Sequence, residues 1–318
     1  MATPLLSRVK QHDYPRLYSL LSPYLPHSLT ILGPCEQHRD TSLKIPLWAS
    51  FAVNEAPPEL FALFTLAGHQ ARFFCSADPS DEPPTSEQEI FVASFVEASL
   101  RAAFDYLAET DAVEDFVRES ALTFGSIHDK WSRCLRALPF AGQYFPVLKV
   151  LLPPSAARQF AEGATDDKLP PGARMTRLET GDLEMAVSYN KVQRPVKYVE
   201  SRIDQSVCIR VPGPDGGEVP AGWVLIHADS SLGQLHVVEA FQHRGLGGQL
   251  MRRIVALRLT RGGKWTARVS AGEPEDFTNG WQMLDVVAGN TEAAAFYERL
   301  EGWEKAWVTA WMRFTAPS

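Results

Sequence analysis

The second half of the chain alternates short apolar runs with stretches whose apolar residues recur every three or four positions. The runs predict strands, and the longer spacing predicts amphipathic helices. Residues 248–260, for example, place Leu250, Met251, Ile254 and Val255 on one helical face. The predicted order is β-α-β-β-β-α-β-α-β, with strands at 174–178, 207–211, 223–227, 235–238, 284–287 and 307–314, and helices after Thr180 and at 248–260 and 291–300.

The first half shows the same mixture and indicates another mixed α/β domain. Residues 151–181 are rich in proline and glycine, which is typical of a linker. We therefore expect one domain over 1–152, a linker over 153–173 and a second domain over 174–318. Within the first domain, strands are predicted at 28–32, 47–53 and 71–75, helices at 87–107, 113–121 and 129–138, and an acidic surface loop at 78–89.

Composition narrows the class of protein. The 318 residues are 45% apolar and 22% charged, as expected of a globular chain, and no apolar run is long enough to span a bilayer. Residues 1–15 lack the apolar core of a secretory signal. We expect a cytoplasmic protein without membrane contact, with mitochondrial import as the alternative. The four scattered cysteines fit neither a zinc site nor a disulfide framework, so no metal is expected.

Charge is spread unevenly along the chain. The formal net charge is −7, yet residues 240–272 contain seven Lys or Arg residues and no acid. A local basic stretch in an acidic protein favours a small anionic ligand over nucleic acid. The alternative interpretation is a solvated helix face.

The turn that precedes the predicted helix at 248–260 is the most informative stretch. A strand ends near Val238, and glycines at 245, 247 and 248 lead directly into the helix. Glycines let the backbone approach a ligand closely, and the free N–H groups of a first helical turn bind anions. Arg244 adds a cation, so a pyrophosphate is the expected occupant. The spacing matches neither a P-loop nor a dinucleotide fingerprint.

Residues 242–247 read Q-x-x-G-x-G, which resembles the acyl-CoA loop of the GCN5-related N-acetyltransferase (GNAT) superfamily. Residues 290–303 (NTEAAAFYERLEGW) resemble the family's later helix motif, with one extra residue before Gly302. Residues 174–182 resemble its first strand and helix start. The resemblance covers about residues 174–314.

A narrower resemblance extends over the whole chain. Residues 24–33 (YLPHSLTILG) and 200–210 are similar to segments of the glycine N-acyltransferase-like group. That group carries a degenerate GNAT-like domain before the catalytic one. The resemblance implies an α/β (α+β) fold of tandem GNAT-like domains, each a twisted mixed sheet flanked by helices. The long stretch between the two motifs implies an insertion at 264–279.

The resemblance also implies how the site works. Acetyl-CoA or a longer acyl-CoA would bind in a V-shaped split between the strands at 235–238 and 284–287. The backbone of Val237 and Val238 would hold the pantetheine arm and polarise the thioester carbonyl, with Asn290 as a further contact. Tyr297 would protonate the leaving thiolate, unless it is an ordinary core tyrosine. The loop that would hold the pyrophosphate consists of Gln242, His243, Arg244, Gly245, Leu246, Gly247 and Gly248, with Arg252 or Arg253 near the outer phosphate.

The general base is the weakest part of the pattern. Many family members place a carboxylate or a histidine on the strand before the loop, and here that position is Ser231, which is not a strong base. Asp229 is predicted to share the strand face of Ser231 and to act through a water. An aspartate there is at least as often a turn residue. His236 is expected to be a packed strand residue.

These features predict an enzyme that moves an acyl group from CoA to the amine of a small molecule or amino acid. Direct attack by the amine is expected, because no convincing Cys/His pair or G-x-S-x-G motif is present. Three alternatives stay open: protein or peptide N-acetylation, a catalytically decayed acyl-CoA-binding protein, and nucleic-acid binding, against which the net charge argues. We expect no nucleic-acid partner and a monomer or homodimer.

Overall fold

The computed structural model describes residues 6–38, 45–67, 70–109, 121–190, 192, 194–265 (backbone only from 261) and 276–316. The strands are β1 Ser7–Arg8, β2 Leu47–Ala49, β3 Ala62–Ala67, β4 Gln70–Cys75, β5 Ala121–His128, β6 Ala141–Leu152, β7 Arg174–Thr176, β8 Ser206–Pro212, β9 Glu218–Ile226, β10 Leu232–Val237, β11 Gln282–Val287 and β12 Glu304–Thr315. The helices are α1 Tyr14–Leu21, α2 Leu29–His38, α3 Ser86–Glu109, α4 Ser132–Arg136, α5 Pro154–Glu162, α6 Leu183–Ser188, α7 Val196–Glu200, α8 Leu246–Trp265 and α9 Thr291–Glu298.

The two halves of the chain exchange strands at the centre of one sheet. The strand order is β1-β2-β3-β4-β5-β12-β6-β11-β10-β9-β8-β7. The last strand, β12, therefore lies between β5 and β6, and β6 from the first half lies between β12 and β11. Because each half completes its sheet with a strand of the other, the described strands form a single continuous sheet.

The sheet is curled strongly about this centre. Four strands separate β4 from β10, yet the Arg72 side chain on β4 contacts the Asp229 carboxylate just before β10, with N–O distances of 2.6 and 2.9 Å. The right-handed twist of sheets supplies such curvature. The result is a concave face, which both halves border.

Helix α2 fills one end of the concave face. Its Leu29 packs with Leu151 of β6 and Met283 of β11. Further along, the Ser230 hydroxyl donates to the Gly33 carbonyl, with a distance of 3.0 Å. A Cβ on Gly33 would lie only 2.2 Å from the Asp229 carbonyl oxygen. The helix and the turn before β10 are therefore in direct backbone contact.

Helices α5, α8 and α9 cover the convex face of the second half. Alternate residues of β6 (Val150, Leu152) and β11 (Leu284, Val286) point into this core. They meet the apolar face predicted for α8: Leu250, Met251, Ile254 and Val255, which are all fully buried. In the first half, α3 packs over the aromatic residues of β3, β4 and β5. Thr85 and Gln88 form a reciprocal capping box at its start.

The fold class predicted from the sequence, a mixed α/β arrangement of tandem units, is confirmed. The elements predicted in the second half occur in the predicted order, with one further helix, α7, between α6 and β8. The strand predicted at 28–32 is wrong, because Leu29 begins helix α2. This helix is buried on nearly every side over its first eight residues, so it lacks the apolar spacing that would separate it from a buried strand. The strands β3, β5 and β6 were not predicted.

Two further segments differ from expectation. Helix α5 lies inside the predicted linker, and its Pro154 occupies the first helical turn, where proline is tolerated. Asp78, predicted in a surface loop, is buried and accepts a hydrogen bond from the Trp131 indole, with a distance of 2.6 Å. The helix predicted at 113–121 lies outside the described residues except for Ala121, which begins β5. Most of the insertion predicted at 264–279 also lies outside the described residues. The domain limits stay a prediction.

None of the helices in the described ranges is long and apolar enough to cross a membrane.

The contact of Gly33 with Asp229 can be tested by substitution. Gly33→Ala should lower the free energy of unfolding by about 1–3 kcal/mol, because the new methyl group meets backbone that cannot move aside. Gly181→Ala is the matched control, since a Cβ there would meet nothing within 4 Å. Denaturant unfolding of both variants measures the difference. Equal stability of the two would contradict the close packing of α2 on the turn before β10.

Candidate active site

The strands β10 and β11 pair at one end and separate at the other. The described register joins them in parallel at Leu232 and Leu284, and no later residue of either strand is paired with the other. A bulge interrupts β10 between Gly233 and His236, and its residue Gln234 has a left-handed φ of 54°. A bulge of this kind bends a strand away from its neighbour. The V-shaped split expected from the sequence is therefore present.

Backbone alternation decides which groups face this split. The Val238 N–H donates to the Ala221 carbonyl of β9, with a distance of 2.9 Å. Its neighbour Val237 must then direct its N–H and C=O towards β11. The Val237 carbonyl accepts a hydrogen bond of 3.0 Å from the Gln242 side chain. Of the two valines predicted to bind pantetheine, Val237 faces the split and the Val238 N–H does not.

The glycine-rich loop leads directly into α8. His243 and Gly245 both have left-handed backbone, with φ of 59° and 78°, and glycine is the residue that adopts this conformation without strain. The first i→i−4 bond of the helix runs from the Gln249 N–H to the Gly245 carbonyl. The N–H groups of Leu246, Gly247 and Gly248 consequently have no carbonyl partner within the helix, which suits an anion.

The two sequence motifs meet beside the split. A Cβ on Gly247 would lie 3.1 Å from the Phe296 ring of α9 and 3.9 Å from Val237. The space beside Gly247, where the sequence predicted close approach of a ligand, is thus partly occupied by the Phe296 ring. Asn290 caps α9 by accepting a hydrogen bond of 3.2 Å from the Ala293 N–H. Loop, strand end and α9 therefore form one contact group.

Tyr297 lies on α9 between the Phe296 and Trp303 rings and is buried. Burial raises the pKa of its phenol above the ordinary value of 10. The hydroxyl accordingly stays protonated at physiological pH, and Tyr297 packs in the apolar core between the sheet and α8.

The basic residues of the loop and α8 divide into two groups. Arg244 and Arg253 are exposed, as phosphate-binding cations would be. Arg252 instead donates to the Phe160 carbonyl of α5 and lies over the Phe160 ring. Arg258 is buried, where it donates to the Ser230 carbonyl and the Thr278 hydroxyl. The basic stretch is therefore partly structural.

A cavity of about 550 Å³, measured to its open mouth, lies on the concave face next to the split. It is bordered by the bulge of β10, the ends of β11 and β12, the α6–α7 connection and, from the first half, β4. Its lining residues are Gln70, Arg72, Asn190, Val192, Arg194, His227, Ser231, Leu232, Gly233, Gln234, Asp285, Val287 and Trp311. Both halves of the chain thus build the space where an acceptor could approach the split.

Asp229 was predicted to lie on a strand face, but it lies in the turn before β10. One of its oxygens accepts from Arg72 twice, and the other accepts from the Ser231 hydroxyl, with a distance of 2.6 Å. Burial works to raise the pKa of this carboxyl, but the Arg72 charge and these hydrogen bonds outweigh it and hold the pKa well below its usual range. A carboxylate so fully engaged is poorly suited to take a proton from an amine.

A second buried ion pair borders the cavity. Asp285 of β11 lies 2.5 Å from the Lys149 ammonium of β6 and accepts a hydrogen bond of 2.6 Å from the Ser126 hydroxyl. The Trp311 indole N–H points to the same carboxylate from 3.4 Å. Asp229 and Asp285, the two carboxylates described beside the cavity, are therefore each paired with a cation of the first half.

His227 is a residue of this cavity that the sequence did not single out. Its Nδ1 lies 2.8 Å from the Tyr198 hydroxyl, and Gly233 leaves room for its ring. Burial, reinforced by the Arg194 charge, lowers the pKa of His227 to about 3. The imidazole is therefore neutral at physiological pH. Its position at the end of β9, far from the motif, gave no signal in the sequence.

The first half has a corresponding parallel pair, β4 and β5, but a different loop follows it. Here carbonyl groups converge instead of N–H groups: those of Ala77, Asp78 and Ser80 accept hydrogen bonds from the Lys130 ammonium. Carbonyl oxygens repel a phosphate. This loop is thus built around a lysine, in accord with a degenerate first unit.

Within the described ranges, no group of three or more His, Cys, Asp and Glu side chains is placed to hold a metal ion.

Comparison with known proteins identifies the fold. No protein-family model matches the chain, and no curated protein matches it. A Drosophila protein solved by a structural genomics consortium is 16% identical, with a TM-score of 0.64 over 99% of this chain and 100% of the other. A GCN5-related N-acetyltransferase from Sphaerobacter thermophilus is 12% identical, with a TM-score of 0.50 over 99% and 96%. The fold is that of the GCN5-related N-acetyltransferases. Likeness at this identity shows the GNAT fold alone.

The ion pair of Arg72 with Asp229 generates a prediction with a definite pH dependence. In Arg72→Met the Asp229 carboxyl stays buried without a cation, and its pKa should rise above the unfolded value of about 3.9. The loss of stability should then be about 3–5 kcal/mol at pH 7 and smaller at pH 4, where the carboxyl is increasingly protonated. In the wild type the depressed pKa keeps the contribution of the pair present above pH ~4.

Urea unfolding at the two pH values measures this difference. The double variant Arg72→Met/Asp229→Asn is the control and should lose less stability at pH 7 than the single variant. An equal loss for Arg72→Met at both pH values would show that Asp229 is not left charged.

Proposed function

We propose that this chain is an acyl-CoA-dependent N-acyltransferase, most simply an N-acetyltransferase, that acts on the amine of a small molecule. The observation that carries the proposal is the contact group at the split: an anion-suited helix start, the Val237 strand edge and the Phe296 ring of α9 meet where β10 and β11 separate, and a cavity lies beside them. The cavity is concave and bordered by both halves of the chain, which suits a small acceptor, whereas a protein acceptor would favour an open groove.

The residues present suit acyl-CoA. The N–H groups of residues 246–248 and the exposed Arg244 and Arg253 match a pyrophosphate. The Val237 N–H at the edge of β10 matches an amide or a thioester carbonyl. When bound, acyl-CoA supplies the activated acyl group, and no enzyme nucleophile is required.

Each side chain then has a simple task. His227, neutral and accepting, orients the amine in the cavity so that its lone pair faces the split. The Val237 N–H stabilises the negative charge that develops on the thioester oxygen during attack. Tyr297 donates its proton to the departing sulfur. Since Asp229 is engaged with Arg72, the amine must arrive neutral or lose its proton to water.

One observation favours a second function. The two residues predicted at the base position, Asp229 and Ser231, are hydrogen-bonded to each other, and Asp229 is also paired with Arg72. A chain without a free carboxylate could bind acyl-CoA and no longer turn it over. Both functions require acyl-CoA binding, but only the acyltransferase would release the free thiol of CoA.

Acyl-CoA binding is tested by placing a large side chain at the loop. Gly247→Trp should abolish binding of acetyl-CoA, because an indole at this position displaces the Phe296 ring and occupies the phosphate approach. Gly181→Trp, at a site where a Cβ meets nothing within 4 Å, should bind as the wild type does. Calorimetric titration measures both. If well-folded wild-type protein binds neither acetyl-CoA nor a longer acyl-CoA, the proposal is wrong.

The acid role of Tyr297 is tested by removing its hydroxyl. Tyr297→Phe should lower kcat by about 10²- to 10⁴-fold while leaving the affinity for acetyl-CoA within a few-fold, because the ring packing is kept. Tyr144→Phe, which removes a hydroxyl bonded to Asp129 in the first half, is the control and should keep its turnover. Thiol release during turnover is the measurement. Unchanged kcat in Tyr297→Phe would remove this residue from the mechanism.

A further inference from the structure

The cavity continues into an apolar strip on the same face of the sheet. On β6, Phe145, Val147 and Lys149 are two residues apart and project to one side. Val287 of β11 pairs with Val147, and Trp311 of β12 pairs with Phe145. Asp285 pairs with Lys149 one step further in. The order along this face is therefore a buried ion pair, then two valines, then two aromatic residues at the mouth.

The outer part of this strip is open to solvent. Phe145 is 46% exposed and Val287 37% exposed. Single exposed apolar residues are ordinary on protein surfaces. These two differ because Val287 and Trp311 also line the cavity, so the strip is continuous with it. Val308 of β12 is equally exposed, at 46%, but it pairs with Leu148 and so points to the opposite face.

The inner end of the cavity contains a side-chain amide, that of Gln234, whose hydrogen-bonding groups have no partner in the described part of the chain. The amide nitrogen and the amide oxygen of Gln234 are both shielded from solvent and have no hydrogen-bond partner among the described residues. Gln234 is also the residue with left-handed backbone in the β10 bulge. Two unmade hydrogen bonds and a strained backbone at one residue are costs that a binding role explains.

We infer that the acceptor is an amphipathic amine whose apolar, ring-sized group lies on the strip of Phe145, Val287 and Trp311, and whose polar end is bound by Gln234 beside the split. This inference rests on the proposed function for the identity of the reacting group. The direction of the molecule follows from the cavity: the polar wall adjoins the split, and the apolar residues form the mouth. The amine is thereby placed at the Gln234 bulge, where β10 begins to separate from β11.

The occupant is a small molecule and not a protein segment. The strip leads into a cavity that the α6–α7 connection borders through Asn190, Val192 and Arg194. The strip presents one side chain from each of three strands, Phe145, Val287 and Trp311, and this width matches a single ring. A lysine side chain would leave its aromatic mouth without a contact.

The test measures amine binding directly, in the presence of CoA without an acyl group, so that no reaction occurs. The probes are 2-phenylethylamine and the small polar 2-methoxyethylamine. Phe145→Ala and Val287→Ala should each weaken binding of 2-phenylethylamine about 5- to 10-fold, as loss of apolar contact predicts, and leave 2-methoxyethylamine unchanged. Val308→Ala is the matched control and should bind both probes as the wild type does.

Gln234→Met separates a binding role from a structural one. The unbranched side chain keeps the size and removes two unsatisfied polar atoms, so the variant should be at least as thermally stable as the wild type. It should nevertheless bind both amines several-fold more weakly. A lower Tm without weaker binding would make Gln234 a structural residue and overturn its part of the inference.

The outcomes are distinct. Equal affinity of all variants for 2-phenylethylamine, or no measurable binding of it to the wild type, overturns the inference. Binding that weakens in the strip variants supports the inference whether or not turnover is seen. Thiol release from acetyl-CoA is then measured with both amines and with a lysine peptide. Absence of release from all three, with amine binding intact, would overturn the proposed function alone.

Discussion

The buried ion pair of Arg72 and Asp229 joins β4 to the turn before β10, although four strands separate β4 from β10 in the sheet. The cavity exists only because the sheet is curled enough for these two residues to meet. A flat sheet of this order would hold β4 far from β10. Burying two charges costs free energy, and their attraction offsets that cost only when the geometry is good. Arg72 meets this condition, because it also donates to Gln70 and to the Ala71 carbonyl.

The exchange of β6 and β12 makes this curvature a property of the whole chain. Lys149 arrives at Asp285 because β6 lies beside β11, and Trp311 arrives at the cavity because β12 lies beside β6. Lys149 belongs by sequence to the first half, whereas the glycine-rich loop, both strands of the split and Trp311 belong to the second half. The cavity proposed for the acceptor is thus assembled from strands of both halves, while the loop proposed for acyl-CoA belongs to the second half.

This difference explains what the sequence could predict. The loop at Gly245 and Gly247 and the cap at Asn290 are local devices, in which the residue type follows from backbone geometry within a few positions. Arg72, His227 and Gln234 have no such local signature, because their setting is created by strands distant in the chain. The same limit applies to α2: its residues are buried on nearly all sides by the curled sheet, so its sequence lacks the helical period.

The electrostatics of the cavity follow from these non-local contacts. Both carboxylates there are paired, and the neighbouring imidazole is kept neutral by burial and by the Arg194 charge. Among the described residues that line this space, Arg72 and Arg194 would face a protonated amine and no unpaired carboxylate would, so the cavity disfavours the ammonium form. A neutral amine is the form that attacks a thioester. An acceptor site without a free carboxylate can therefore select the reactive form by desolvation instead of by proton abstraction, at the cost of a rate that follows the amine's own pKa.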